Sequence, residues 1–229
     1  MEKKARKKGK TSGKKEEKIG KKVDNTKQLY WIFGTMAFLI VVLLISSSVF
    51  QSLNRFEYEG LIFTKERFGE IPVFHHYYFY NYNGQQYKFN LYLRNDPRSN
   101  EIPINSEIEY PLGKFAYIST NITGLEECPQ TTLAVATLSA FLTNNQIIPK
   151  GATFNREEAA SLDVEYVDCG TYTDRTTILI QDGSETKIEQ KTEMCHVITV
   201  SNCQILLAIE KFEVKSILDA RERARIEKS

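Results

Sequence analysis

The chain has 229 residues, and its 30 basic and 29 acidic side chains leave a net charge of +1. That balance is uneven: residues 1–29 carry twelve Lys/Arg against Glu2, Glu16, Glu17 and Asp24, a surplus of eight that leaves the remainder at about −7. Such segregation excludes reading the net charge as a property of the fold, and it points to an interaction tail or a membrane.

In chain order, residues 1–28 come first, with Ala5, Ile19 and Val23 as their only aliphatic residues and no aromatic ring. A segment so poor in apolar surface cannot offset its ordering entropy, so a disordered basic tail is predicted. Without aromatics the tail lacks a platform for base stacking, and no nucleic-acid partner is expected.

Residues 29–50, "LYWIFGTMAFLIVVLLISSSVF", follow with no charge between Lys27 and Arg55. As a helix they would rise ~33 Å, matching a hydrocarbon layer roughly 30 Å thick. Thirteen of them are Leu, Ile, Val or Phe, each worth about −0.3 to −0.6 kcal/mol on insertion. Tyr30 and Trp31 stand where amphipathic rings favour the headgroup level. One transmembrane helix is predicted. A cleaved signal peptide would use Ser46-Ser47-Ser48, but the basic leader is long and the apolar run exceeds a signal core. A pilin-type precursor would want glycine directly ahead of the apolar run, whereas Gly20 is separated from it by "KKVDNTKQ".

The flanks orient the helix. Twelve basic residues precede it, and only Arg55, Lys65 and Arg67 fall within residues 51–70. The positive-inside rule then puts the N-terminus in the cytoplasm and residues 51–229 outside, in a single-pass membrane protein. The expected partners are the lipid bilayer, anionic inner-leaflet lipids contacted by the Lys-rich tail, and an envelope protein.

Residues 51–229 are the size of one domain. "FEYEGLIFTKERFG" alternates like a strand, and Asn83-Gly84 between aromatic-rich runs predicts a hairpin. "EIEYPLGKFAYIST" adds one or two strands. "CPQTTLAVATLSAFLTNN" predicts a helix with Leu133, Ala136, Ala140 and Leu142 at near-helical spacing, closed by Asn144-Asn145. Asn155 is the expected N-cap of a short helix with Glu157 and Glu158 in its first turn. Strand "VEYVDC", a hairpin around Asp182-Gly183, strand "CHVITV" and a charged final helix with Asp219, Arg223 and Glu227 at i,i+4 complete the chain. This order predicts a single α+β extracytoplasmic domain.

All four cysteines, Cys128, Cys169, Cys195 and Cys203, follow the apolar run, which agrees with an oxidising compartment and predicts disulfides. An extended "CHVITV" keeps Cys195 too far from Cys203 for a bridge. The Asp182-Gly183 hairpin, extended outward, brings Cys169 opposite residues 195–197. The expected pairs are therefore Cys169–Cys195 and Cys128–Cys203. No metal is expected, because there is no CxxC and His75 and His76 would point to opposite faces of a strand.

Among candidate sites, "LRNDPRSNEIP" is the sharpest. Asp96-Pro97 is a turn signal, and Arg94 and Arg98 flank the carboxylate. Two guanidinium forks there would suit an anionic ligand or partner; the structural use is a turn with a local Asp–Arg pair. Asn121-Ile122-Thr123 is a glycosylation sequon at Asn121. "FHHYYFYNY" could stack on sugars, although one face of such a strand ordinarily serves the core.

No G-x-S-x-G, H-E-x-x-H or glycine-rich phosphate loop occurs, so neither catalysis nor a cofactor is expected. An extracytoplasmic hydrolase is the least supported function. At "LYLRNDPRSNEIPI" and "CHVITVSNCQILLAIEKF" the chain resembles uncharacterised single-span membrane proteins of small-genome archaea, with a basic N-terminus, one helix and a Cys-containing outer domain. That resemblance implies a membrane-anchored envelope protein and carries over no catalytic residue. The expected function is a binding or structural module of the cell envelope, with an accessory subunit of a secretion or transport complex as the alternative.

Overall fold

The computed structural model describes residues 25–82, 84–111, 114–121, 125 and 128–226. Most of the basic tail therefore lies outside the described residues. Its last four, 25–28, are already helical: α1 runs Asn25–Leu53, beginning before the apolar run and ending after it. Backbone pairing does not stop where the hydrocarbon does, so polar residues extend the helix at both ends.

Within α1, Leu29–Ser47 are long and apolar enough to cross a membrane, and none of that stretch is buried. A helix apolar on all sides belongs in a protein core or in lipid, and here no core covers it. The Thr35 hydroxyl donates to the Trp31 carbonyl at 2.7 Å, which satisfies it without water.

Residues 51–229 form a second unit. It opens with a four-stranded antiparallel sheet of β1 (Arg55–Tyr58), β2 (Leu61–Phe68), β3 (Ile71–Tyr82) and β4 (Gln85–Leu93), in that order. The stretch expected as one strand is thus two, folded back at Glu59-Gly60. Both turn residues have positive φ, the requirement of a tight two-residue hairpin. The β3–β4 hairpin pairs Tyr82 with Gln85 around the expected turn; Asn83 itself lies outside the described residues.

A larger mixed sheet follows: β5 (Ile104–Asn105), β6 (Phe115–Thr120), β7 (Ile148–Thr153), β8 (Glu165–Tyr166), β9 (Thr176–Asp182), β10 (Lys187–Thr192) and β11 (Cys195–Val200). Its order is β5-β10-β11-β9-β6-β7-β8. Five strands, β11, β9, β6, β7 and β8, are parallel. Helices α2 (Thr131–Asn144) and α3 (Arg156–Leu162) make the crossovers of a β6-α2-β7-α3-β8 unit, and α4 (Ile205–Ile226) closes the chain. With both sheets sharing one core, the domain is α+β.

The structure overturns the hairpin at Asp182-Gly183. β11 lies between β9 and β10, parallel to β9 and antiparallel to β10. The chain does turn there, with the Gly183 N–H donating to the Val200 carbonyl at 2.9 Å, but the turn spans an inserted strand. A Cβ on Gly183 would meet Thr199 Cγ2 at 2.4 Å. The glycine therefore admits β11, and does not serve a left-handed turn.

The buried face of α2 is also shifted from expectation. Ala134, Leu138, Phe141 and Leu142 are buried, while Ala136 and Ala140 are exposed. They pack with Ile178, Ile198, Phe212, Phe63 and Leu93 in one cluster that joins both sheets to α2 and α4. On the opposite face of the large sheet, Leu179, Cys195 and Val197 pack with Cys169 and Phe154. The Asn155 side chain caps α3 by accepting from the Glu157 and Glu158 N–H groups.

Candidate binding cavity

The cysteines pair as Cys128–Cys203 and Cys169–Cys195. The second pair does not need the absent hairpin. Because β11 runs parallel to β9 with Cys195 opposite Thr177, both strands start at the same end of the sheet, where the segment carrying Cys169 arrives. The first pair ties the segment after β6 to the turn before α4. In open parallel sheets ligands favour the carboxyl ends of the strands; here the hollow between Cys128, Cys203, Asp182 and Val200 encloses about 10 Å³, room for a single water, whereas the one beside Thr120 and Thr153, at the ends of β6 and β7, is far larger.

The Arg94-Asp96-Arg98 motif is a turn. Asp96 caps a 3-10 turn over Pro97–Ser99 through the Arg98 N–H and receives Arg98 Nη2 at 2.6 Å. The Arg98 guanidinium lies 3.9 Å from the Phe56 ring centroid. The hydrogen bonds to Arg98 hold the Asp96 carboxyl below its ordinary range. The Arg94 backbone N–H is directed at Glu210, and the nearest hollow encloses about 10 Å³. Asn121 follows β6 and is half-buried; Ile122 and Thr123 lie outside the described residues.

His75 and His76 face opposite ways. His75 bridges Glu66 and Asn90, whereas His76 Nδ1 meets the Ile62 carbonyl at 2.8 Å. His196 is fully buried, with Nδ1 2.7 Å from Ser106 Oγ and its ring edge-on to Phe212. Burial lowers its pKa to about 4. Neither Ser106 nor His196 lines any of the described hollows, and the pair braces the core.

The cavity that could take a ligand lies under the small sheet, where β2, β3, the end of α2 and the last turns of α4 converge. It encloses about 720 Å³, within the range of small-molecule sites. Leu61, Phe141, Ile147 and Ile217 supply apolar wall. Tyr78 donates to Asn145 at 2.9 Å, and Tyr110 lies 3.1 Å from Ser216 Oγ. Burial pushes the Tyr78 hydroxyl up to about 12 and raises that of Tyr110 still further. Arg55, Arg221 and Arg223 stand around the cavity. A second hollow of about 970 Å³ beside α2 adjoins Leu125 and Cys128, next to residues outside the described ones.

α4 departs from the sequence expectation. The spacing predicts i,i+4 pairing of Asp219 with Arg223, yet Asp219 is turned inward to accept from the Ile108 N–H at 2.8 Å and pairs with Lys215. Arg223 forms no ion pair among the described residues, and Glu227 lies outside them. Glu210, Glu213 and Ser216, three residues apart, are buried with Ile209, Phe212 and Ile217. Glu210 accepts from the backbone N–H groups of Arg94 and Asn95 and from the Asn95 amide. Glu213 Oε1 has no hydrogen-bond partner among the described residues, and burial raises its pKa well above 4.5, helped by the nearby Glu210 charge.

A raised carboxyl pKa has a definite sign. The unfolded Glu213 ionises near pH 4.5 while the folded one keeps its proton, so this group's contribution to stability declines as pH rises above that value. Glu213→Gln should match the parent at pH 4 and exceed it in thermal stability at pH 8. A variant that is less stable at pH 8 would refute a neutral Glu213.

Comparison with protein-family models, curated proteins and solved structures finds no match to this chain.

Proposed function

We propose that this chain is a membrane-anchored binding module of the cell envelope, with α1 spanning the bilayer and residues 51–229 outside the cytoplasm. The observation that carries the reading is the 720 Å³ cavity, walled by apolar side chains and set with a few convergent polar groups, the usual form of a small-ligand site. The orientation draws on the positive-inside rule, with the tail against the anionic inner leaflet. The two disulfides support an oxidising compartment.

The test is native mass spectrometry of the full-length protein released from lipid nanodiscs. Ala220 is an exposed wall residue, so Ala220→Trp should fill the cavity without disturbing the core. The parent should retain a bound small molecule that Ala220→Trp loses. A ligand-free parent, or equal retention by both, would contradict the reading.

A second reading, an accessory subunit of a membrane secretion or transport complex, draws on the other side of the small sheet. There Phe68, Tyr92, His75, Tyr77 and Phe79 form a continuous row of ring contacts with centroids 4.5–6.3 Å apart. Phe68, Tyr77, Phe79 and Tyr92 are exposed, and exposed aromatic patches favour protein contact. Blue-native migration as one discrete large species would support the subunit reading, and migration as a single chain would count against it.

A further inference from the structure

We infer that the cavity takes a single-chain amphiphile with an anionic head, of the fatty-acid class, drawn from the outer leaflet of the bilayer that α1 spans. The inference rests on the cavity being a ligand site and adds the chemistry of its occupant. Three observations carry it.

The first is the wall. Its buried residues include Leu61, Phe141, Ile147 and Ile217. Such a surface suits a hydrocarbon chain and offers little to a sugar or a nucleotide.

The second is an excess of unpaired cation. Arg55, Arg221 and Arg223 all line the cavity, and none has a carboxylate within ion-pair distance among the described residues. Arg221 donates one N–H to the Gly60 carbonyl. Arg223 Nη1 is sealed from water and has no acceptor among the described residues, a costly arrangement that an anionic oxygen would relieve. Against these three cations, Glu109 is the one acidic residue in the described lining. Glu213 is not in that lining, and burial raises its pKa well above 4.5.

The third is covalent. Arg55 is two residues beyond Leu53, the last residue of α1, so their Cα atoms are at most about 8 Å apart. Leu53 is six residues past Ser47, the end of the apolar stretch, a rise of about 9 Å. Arg55 thus follows the apolar stretch by only eight residues in the chain. An amphiphile is the ligand class that a bilayer supplies.

The test uses the full-length protein in phosphatidylcholine nanodiscs with two photoactivatable probes of equal chain length, a diazirine-bearing fatty acid and the corresponding alcohol. The acid should label Tyr78 or residues 220–224 about tenfold more than the alcohol does. Arg223→Met should lower acid labelling about tenfold and leave the alcohol unchanged, while Arg223→Lys should restore most of it. Retained disulfides and an unchanged melting temperature would show that these variants fold. Equal labelling by acid and alcohol would overturn the anionic head while leaving the cavity as a ligand site. Labelling by neither probe above the Ala220→Trp background would overturn both. Displacement of the acid by excess acetate or inorganic phosphate would assign the site to a soluble anion and refute the membrane source.

Discussion

Replacing Cys128 and Cys203 together by alanine should lower the stability of the domain by about 4.5 kcal/mol under oxidising conditions, because the bridge closes a long loop. The two residues are 75 apart in sequence. For a domain of this size the melting temperature should fall by about 10–15 °C. With reductant present, parent and variant should melt together, since the constraint on the unfolded chain is then absent from both. Removing Cys169–Cys195, whose separation is 26, should cost about 3.5 kcal/mol by the same relation. An equal loss with and without reductant would show that the cysteines act by packing and not as bridges.

The second large effect is expected at Glu210. Its carboxylate gathers three donors, the Arg94 and Asn95 backbone N–H groups and the Asn95 amide, in a site only 3% exposed. Glu210→Ala would strand these donors, and at about 1–3 kcal/mol for each buried unsatisfied group the summed cost is about 3–4 kcal/mol after partial relaxation. Glu210→Gln, which keeps one acceptor, should fall between parent and alanine variant in denaturant unfolding. Indistinguishable unfolding of the alanine variant would remove Glu210 from the account of how α4 holds the chain after β4.

The pH dependence of the parent follows from opposed groups. Burial pushes Glu210 up to about 6 from 4.5, so its contribution is full below pH 4.5 and is lost as pH rises toward 6. His196, lowered to about 4 from 6.5, contributes fully above pH 6.5 and loses that contribution as pH falls toward 4. Between pH 4.5 and 6 the two changes oppose each other. Above pH 6.5 the buried Glu213 remains, which is why Glu213→Gln isolates it.

Much of this architecture is local and legible in the residues. The apolar run of α1, the Asn83-Gly84 hairpin, the Asn155 cap and the Asp96 turn each follow from side chains within a few positions of one another. What was not legible is non-local. Asp182-Gly183 reads as a hairpin because the dipeptide is a turn signal, and nothing nearby announces that β11 will enter between the flanking strands. Gly183 carries the trace of that insertion, but only once Thr199 is known to approach it.

The cavity was hidden for a related reason. The charged residues of α4 read as those of a charged helix with Asp219, Arg223 and Glu227 at i,i+4. Their helical phase offered one signal: Glu210 and Glu213 fall beside Ile209 and Phe212 on a stripe that is otherwise apolar. Buried acids on an apolar stripe mark a site or a strut, and here Glu210 is the strut.

The central claim is that α1 anchors the chain with residues 51–229 outside the cytoplasm, and protease protection tests it most directly. With an epitope appended after Ser229, proteinase added to intact spheroplasts should remove the epitope and leave a membrane-bound fragment that still carries the basic tail. An epitope protected in intact spheroplasts and digested only after lysis would contradict the account.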